Sequence, residues 1–355
     1  MASVSSSPTP TFTRNQRELL NKVLITSIGL FVLLVFLAPL GYMITTAIKS
    51  EPQMNDTRAP WYWPYSTATF NYQGKELEIF KVPLQDGTRN LAALKKTRTE
   101  TTFIDPENPN GPRIVWQGNW RTLESTYVSD PQWQNFKEAW DSLNFPRLFK
   151  NSMIIAGFGT LGAVLSAILV AYGFSRFEFR GQNVLFMILI ATIILPVQAT
   201  LIPTYLLFAK IGWTNTFLPL IVPHFFANAY NVFLLRQYFM QIPRDLDEAA
   251  MMDGANPFQI LISVVLPQSV PAITAVSLFH FFFAWNDFFT PLVYLASKEE
   301  LWPLSVGLQK FNALYGRVPN LIQTGALITL VLPVVIFFLA QRVFMQGIVF
   351  TGVEK

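Results

Sequence analysis

Six stretches of this chain run without a single Asp, Glu, Lys or Arg: Val23–Ile48, Asn151–Ser175, Gly181–Ala209, Ile211–Leu235, Gly254–Asn286 and Val318–Gln341. Each exceeds the ~20 residues that a helix needs to cross a bilayer. A charge at the bilayer centre costs roughly 2.5–3.5 kcal/mol on insertion scales, so charge-free runs of this length mark membrane spans. The pattern predicts an all-α polytopic membrane protein with six transmembrane helices, the first over 23–48 and five more within 151–346. Prolines inside or at the edges of these runs, among them Pro39, Pro196, Pro203, Pro267 and Pro333, predict kinked helices whose freed carbonyls are satisfied by neighbours. Lys210 alone separates the third run from the fourth, and Gly212, Trp213, Thr214 and Asn215 beside it predict a tight hairpin.

Between the first two runs the pattern changes. Residues 49–150 are polar and hold half of the chain's basic residues. Glu76–Val82, Glu100–Ile104 and Arg113–Gln117 have β-type composition, punctuated by turn-forming clusters at Gln85–Gly87 and Pro106–Gly111. A small β-rich insertion is expected there. Its aromatics, including Trp61, Trp63, Trp116, Trp120, Trp133 and Trp140, read as core and membrane-facing belt rather than as a sugar-stacking surface. Residues 1–22 and 347–355 are expected to be tails.

Composition agrees with a bilayer location: 51% of the 355 residues are hydrophobic, 14% are charged, and the mean hydropathy is +0.34. A net charge of +4 spread along the chain gives no basic patch for nucleic acid. The lack of cysteine excludes disulfides and thiolate chemistry. No phosphate-binding loop, zinc-binding His/Glu pattern or nucleophile elbow occurs, so no catalytic residue, metal or cofactor is expected. With six spans both termini share a side. Arg14, Arg17, Lys22, Arg176, Arg180, Arg236, Arg244, Arg342 and Lys355 fall on it, against Lys210, Lys298, Lys310 and Arg317 in the short loops opposite. The excess predicts cytoplasmic termini and an extracytoplasmic 49–150.

The cytoplasmic loop 237–256 carries helix signals of its own. Asp245 can cap a helix start with Glu248 three residues on, Gly254 suits a left-handed stop, and Asn256–Pro257 restarts a helix. Leu246, Ala249, Ala250 and Asp253 fall at i, i+3, i+4 and i+7, a narrow face with two small side chains. On these residues alone, a docking face and a merely solvated loop stand equally open.

The order Glu248-Ala249-Ala250, Gly254, Val264 and Leu266-Pro267 resembles the EAA motif of ABC importer permeases, with Val264 where that family usually has isoleucine. Asn151-Ser152, Leu195-Pro196, Ile202-Pro203, Leu235-Arg236-Gln237, Trp285-Asn286-Asp287-Phe288 and the ending Gly347–Lys355 resemble the maltose-type sugar permeases. The insertion departs from that family, whose members have only a short segment there. The resemblance implies a type I importer permease fold in the prokaryotic inner membrane. It implies a second permease as heterodimer partner, two cytoplasmic ATPase subunits and an extracytoplasmic sugar-binding protein. It assigns ATPase coupling to Asp245, Leu246, Glu248, Ala249, Ala250, Asp253, Gly254, Leu266 and Pro267. For Glu248, pairing with the partner and helix capping both remain open. Intramembrane polar residues are functional suspects by default, which singles out Asn228, Asn231 and Asn286 for a substrate pathway. Gln309, Asn312 and Tyr315, in the outer loop 297–319, are candidates for contact with the binding protein. His280, set among phenylalanines, reads as a helix-packing residue. A secondary transporter, or a permease for a polyol or glycerophosphate, is the competing reading.

Overall fold

The computed structural model describes residues 14–56, 58–84, 86–313 and 318–349. The chain divides into two compact units, Met1–Asn135 and Phe136–Lys355.

The N-terminal unit opens with one long helix, α1 (Arg14–Ala47), followed by a short turn of helix over Glu51–Asn55. Eight strands follow: β1 (Tyr65–Thr67), β2 (Thr69–Tyr72), β3 (Lys75–Leu84), β4 (Gly87–Lys96), β5 (Glu100–Ile104), β6 (Ile114–Gln117), β7 (Glu124–Ser125) and β8 (Tyr127–Ser129). They pair antiparallel in the order β2-β3-β4-β5-β6, with β7 also on β3, while β1 and β8 form a separate ribbon. Side chains alternate across the sheet, as a period of two requires. Phe80, Val82, Leu91, Phe103 and Leu123 form one core, and Leu77, Ala92 and Ile104 a smaller second one. Of the tryptophans, Trp116 and Trp120 pack on the larger core, whereas Trp61, Trp63 and Trp133 are exposed.

The end of α1 is fastened to the unit by side chains that meet backbone carbonyls. Asn135 Nδ2 donates to Ala47 O at 2.8 Å and to Lys49 O at 2.9 Å. Gln53 Nε2 reaches Pro60 O and Trp63 O, both at 2.8 Å, and its Oε1 accepts from Tyr65 N at 3.0 Å. The Lys49 ammonium donates to Trp61 O, and burial holds it below the usual lysine range.

The C-terminal unit is helical. Its main elements are α2 (Phe145–Arg176), α3 (Gln182–Ala191), α4 (Val197–Lys210), α5 (Ala229–Phe239), α6 (Arg244–Met252), α7 (Val270–Asn286) and α8 (Pro319–Val349). The hairpin after α4 forms as expected, with Gly212 and Asn215 in the left-handed region and Trp213 N donating to Phe208 O at 2.8 Å. α2 is the central post. Its buried residues include Gly159, Gly162, Ala163, Ala167 and Ala171, so neighbouring backbones approach closely on that side. Ala167, Ile168 and Tyr172 join Val232, Leu235 and Phe239 of α5 and Val276 of α7 in the largest core. Asn151 and Ser152 anchor α2 at its other end: Asn151 Nδ2 donates to Glu300 O and Trp302 O, and Ser152 Oγ accepts from Leu304 N.

Length and composition make α1, α2, Leu218–Phe239 and Pro319–Arg342 sufficient to cross a membrane. Two bent pairs also qualify when each is taken as one span: Gln182–Ile194 with Ala199–Lys210, and Pro257–Gln268 with Val270–Asn286, the second bent by 81°. The second bend has a local cause. Pro267 brings no N–H to the helical ladder, and the backbone over Leu261–Val265 widens into a π-turn just before it.

Candidate functional site

The loop after α5 carries α6, and its local structure follows from three short signals. Pro243, extended at φ −55° and ψ 135°, starts the helix with no side-chain cap, so Asp245 and Glu248 do not form the expected capping box. Proline already fixes the entry angle, and Asp245 and Asp247 in the first turn favour the helix through its dipole instead. At the other end Gly254 adopts φ +84°, with Gly254 N donating to Met251 O and Ala255 N to Ala250 O, a Schellman stop. Asn256 then caps the next turn reciprocally with Gln259, and Pro257 occupies its first position.

What holds this loop is the C-terminal end of α2. Arg176 Nε lies 3.0 Å from Asp247 Oδ2, with the two side chains only 5% and 9% exposed. Arg176 Nη2 donates to Ile242 O at 3.1 Å, just before α6. One turn earlier on α2, Tyr172 Oη donates to Pro257 O at 2.8 Å, just after α6. Residues 172 and 176 are i and i+4 on one helix face, so α2 grips the loop before, within and after its helix. Arg236 of α5 adds a further tie, donating from Nε to Phe174 O at 3.1 Å while its guanidinium lies over the Phe186 ring.

With Asp247 turned inward, the opposite side of α6 is bare. Asp245, Leu246, Glu248, Ala249, Met251, Met252 and Asp253 are exposed. Ala250 is half-buried and packs on the core, together with Val264 and Leu266, while Pro267 is exposed. Exposed Phe258 and Ile262 continue the apolar part of this surface. Of the residues expected to couple, Asp245, Leu246, Glu248, Ala249, Asp253 and Gly254 are exposed on or just after α6, Ala250 and Leu266 pack the loop onto the unit, and Pro267 is exposed beyond it. Arg176, Tyr172 and Asp247 escaped the sequence reading. An aspartate on the inward side of a short helix beside a basic span end was the available signal.

The polar candidates within the spans separate. Asn228 caps α5, its Oδ1 accepting from Tyr230 N and Asn231 N at 3.0 and 3.2 Å, and it borders a cavity. Asn231 is buried and its Nδ2 lies 3.2 Å from His280 Nδ1, which gives His280 the packing role expected of it. Asn286 is exposed at the end of α7 and donates to Phe282 O within its own helix. In the loop 297–319 Asn312 Nδ2 donates to Gln309 Oε1 at 3.2 Å. Tyr315 lies outside the described residues, as does the end of the chain from residue 350.

Known proteins agree with this architecture. Residues 159–349 match the family model described as "Binding-protein-dependent transport system inner membrane component". The osmoprotective compounds uptake permease protein GgtD of Synechocystis sp. is 30% identical over 281 residues, covering 78% of this chain and 93% of that one. The trehalose/maltose transport system permease protein MalG of Thermococcus litoralis is 31% identical over 248 residues, covering 69% and 84%. A solved chain from a bacterial ABC transporter involved in import of the acidic polysaccharide alginate superposes with a TM-score of 0.62 at 23% identity, covering 94% of this chain and 99% of that one, and shows the shared fold. On the matched region and the extent of these relatives, the chain belongs to the inner-membrane components of binding-protein-dependent transport systems, the permease subunits of ABC importers.

Proposed function

We propose that the chain carries a sugar or oligosaccharide across the prokaryotic inner membrane in an ATP-driven importer. An extracytoplasmic binding protein delivers the solute, a second permease completes the pathway as heterodimer partner, and two separate ATPase subunits hydrolyse ATP. Relatives named for trehalose and maltose, alpha-glucosides and arabinooligosaccharides support the sugar class. In this reading the two bent helix pairs each make one span, giving six. Both termini face the cytoplasm, and residues 49–150 form an insertion outside.

The observation that carries the mechanism is the contrast between the two sides of α6. Arg176 holds Asp247 on one side and Tyr172 holds the backbone just after the helix, while Glu248 and Ala249 on the other side and Gly254 at the stop are exposed. A rigid cytoplasmic helix gripped by a span is a lever: ATPase closure moves α6, and α2 moves with it. Ala249 and Gly254 allow a partner to approach closely, while Glu248 and Asp253 offer carboxylates to basic residues of the ATPase.

The test is reconstitution of the complete importer with Ala249→Trp and, separately, Glu248→Lys. Ala249 is exposed, so the bulky change leaves the chain's own packing intact. The expected result is an inserted permease that loses the ATPase during purification for Ala249→Trp, and ATP hydrolysis without uptake for Glu248→Lys. Undiminished recovery of the ATPase together with wild-type uptake would overturn the docking role.

A further inference from the structure

Beyond the loop and its lever, the C-terminal unit contains a cavity of about 300 Å³ that begins where α5 begins. Thr204, His224, Asn228, Asp287, Thr290 and Tyr294 bring polar groups to it, and Phe208 and Phe283 supply aromatic surface. Much of this polar lining is fixed. Thr204 Oγ1 and Tyr294 Oη are 3.0 Å apart, and Asp287 Oδ1 accepts from Thr290 N at 3.2 Å. The His224 ring meets His280 edge to face at 4.7 Å, and Gly159 leaves the space that this imidazole occupies, since a Cβ there would lie 3.2 Å from His224 Cδ2.

Two groups remain uncommitted. Asn228 uses its Oδ1 for the α5 cap, and among the described residues its Nδ2 has no partner. Asp287 uses Oδ1, and among the described residues its Oδ2 accepts no hydrogen bond. A free donor and a free acceptor beside hydroxyls and aromatic faces form the chemistry that holds a sugar ring, whose hydroxyls hydrogen-bond while its C–H face lies on an aromatic ring. The size is at the lower end of ligand pockets, which span about 300–1,000 Å³, so it takes one ring rather than a chain of them. Among the described residues the one formal charge in the lining is the Asp287 carboxylate, which repels phosphate esters and uronates and accepts from neutral hydroxyls.

We propose that this cavity is a subsite for one neutral sugar unit in transit, with Asp287 Oδ2 accepting from and Asn228 Nδ2 donating to the sugar hydroxyls. The proposal rests on the sugar-importer reading and adds that this subunit itself touches the solute and rejects anionic ones.

The chain contains no cysteine, so a single introduced thiol reports on the cavity without background from this subunit. The complete importer with Thr290→Cys is reconstituted, and reaction with a membrane-impermeant methanethiosulfonate is timed with and without maltose, trehalose or glycerol 3-phosphate. The wild-type importer is assayed for uptake of the same three solutes. The expected result is labelling slowed at least threefold by the sugar that the wild type imports and unchanged by glycerol 3-phosphate. In parallel, Asp287→Asn raises the KM for uptake of that sugar about tenfold with ATP hydrolysis retained. Sugar uptake by the wild type with unprotected Thr290→Cys overturns the cavity proposal alone. Import of glycerol 3-phosphate in place of either sugar overturns the sugar reading, and the subsite with it.

Discussion

Two helices of nearly equal length, α1 with 34 residues and α2 with 32, are almost indistinguishable as strings of apolar residues, and they are used in opposite ways. Among the described residues none of the apolar stretch of α1 is buried, against 44% of that of α2. The difference lies in the small residues. α2 sets Gly159, Gly162, Ala163, Ala167 and Ala171 along its buried side, where an added Cβ at Gly162 would lie 2.4 Å from the Phe225 ring. In α1, a Cβ at Gly29 or Gly41 would meet nothing within 4 Å. In a bilayer, where lipid tails are as apolar as leucine, close packing rather than apolarity draws helices together, so only a helix with a small-residue side becomes a post. α2 then ends in a charged grip on the loop that carries α6, whereas α1 ends on backbone carbonyls held by Asn135.

Cutting that grip is the most severe way to make α2 resemble α1. Asp247→Leu leaves the Arg176 guanidinium buried with no carboxylate, a change that costs about 3–5 kcal/mol when one partner of a buried pair is removed. Thermal unfolding of the purified chain in detergent should show a clearly lowered midpoint. Replacing both members, Arg176→Met with Asp247→Leu, should recover most of the loss, because no buried charge is then left alone. If recovered stability also brought back full coupled uptake, the ion pair would be a packing element and not part of the lever.

Filling the close contact is the next largest perturbation. Gly162→Val places methyl groups where the Phe225 ring now sits, and overpacking of this kind typically costs 1–3 kcal/mol. Pairing it with Phe225→Ala relieves the clash, so the double variant should unfold at a higher temperature than Gly162→Val alone. A Gly162→Val chain as stable as wild type would mean that α2 gains nothing from its small-residue side.

Much of this architecture is legible in the sequence, and most of the exceptions share a reason. Among the described residues the helices long and apolar enough to cross a membrane fall largely within the charge-free runs, because desolvation of charge is a local property that each residue carries with it. The stop at Gly254 and the restart at Asn256–Pro257 were equally local. β4 was not readable: Leu91-Ala92-Ala93-Leu94-Lys95-Lys96 has helical propensity and becomes a strand because β3 and β5 pair with it on both sides. The Asp245 cap failed because Pro243 had already set the start of α6. Asp247 with Arg176, and the cavity at Asp287, depend on residues far apart in the chain. No spacing rule announces a pair separated by three helices.

The smallest expected effect tests the comparison from its other side. Gly29→Ala in α1 adds a methyl that touches nothing in the chain, so the isolated protein should lose no stability, and helix propensity alone favours the alanine by up to about 1 kcal/mol. The same holds for Gly41→Ala. Measured in the assembled importer, these substitutions become reporters of whatever lies against α1 there. A loss confined to the complex would place a partner helix at that face, and indifference in both states would leave it to lipid. Destabilisation of the isolated chain by Gly29→Ala would contradict the contrast directly, since α1 would then have a packed side of its own, like α2.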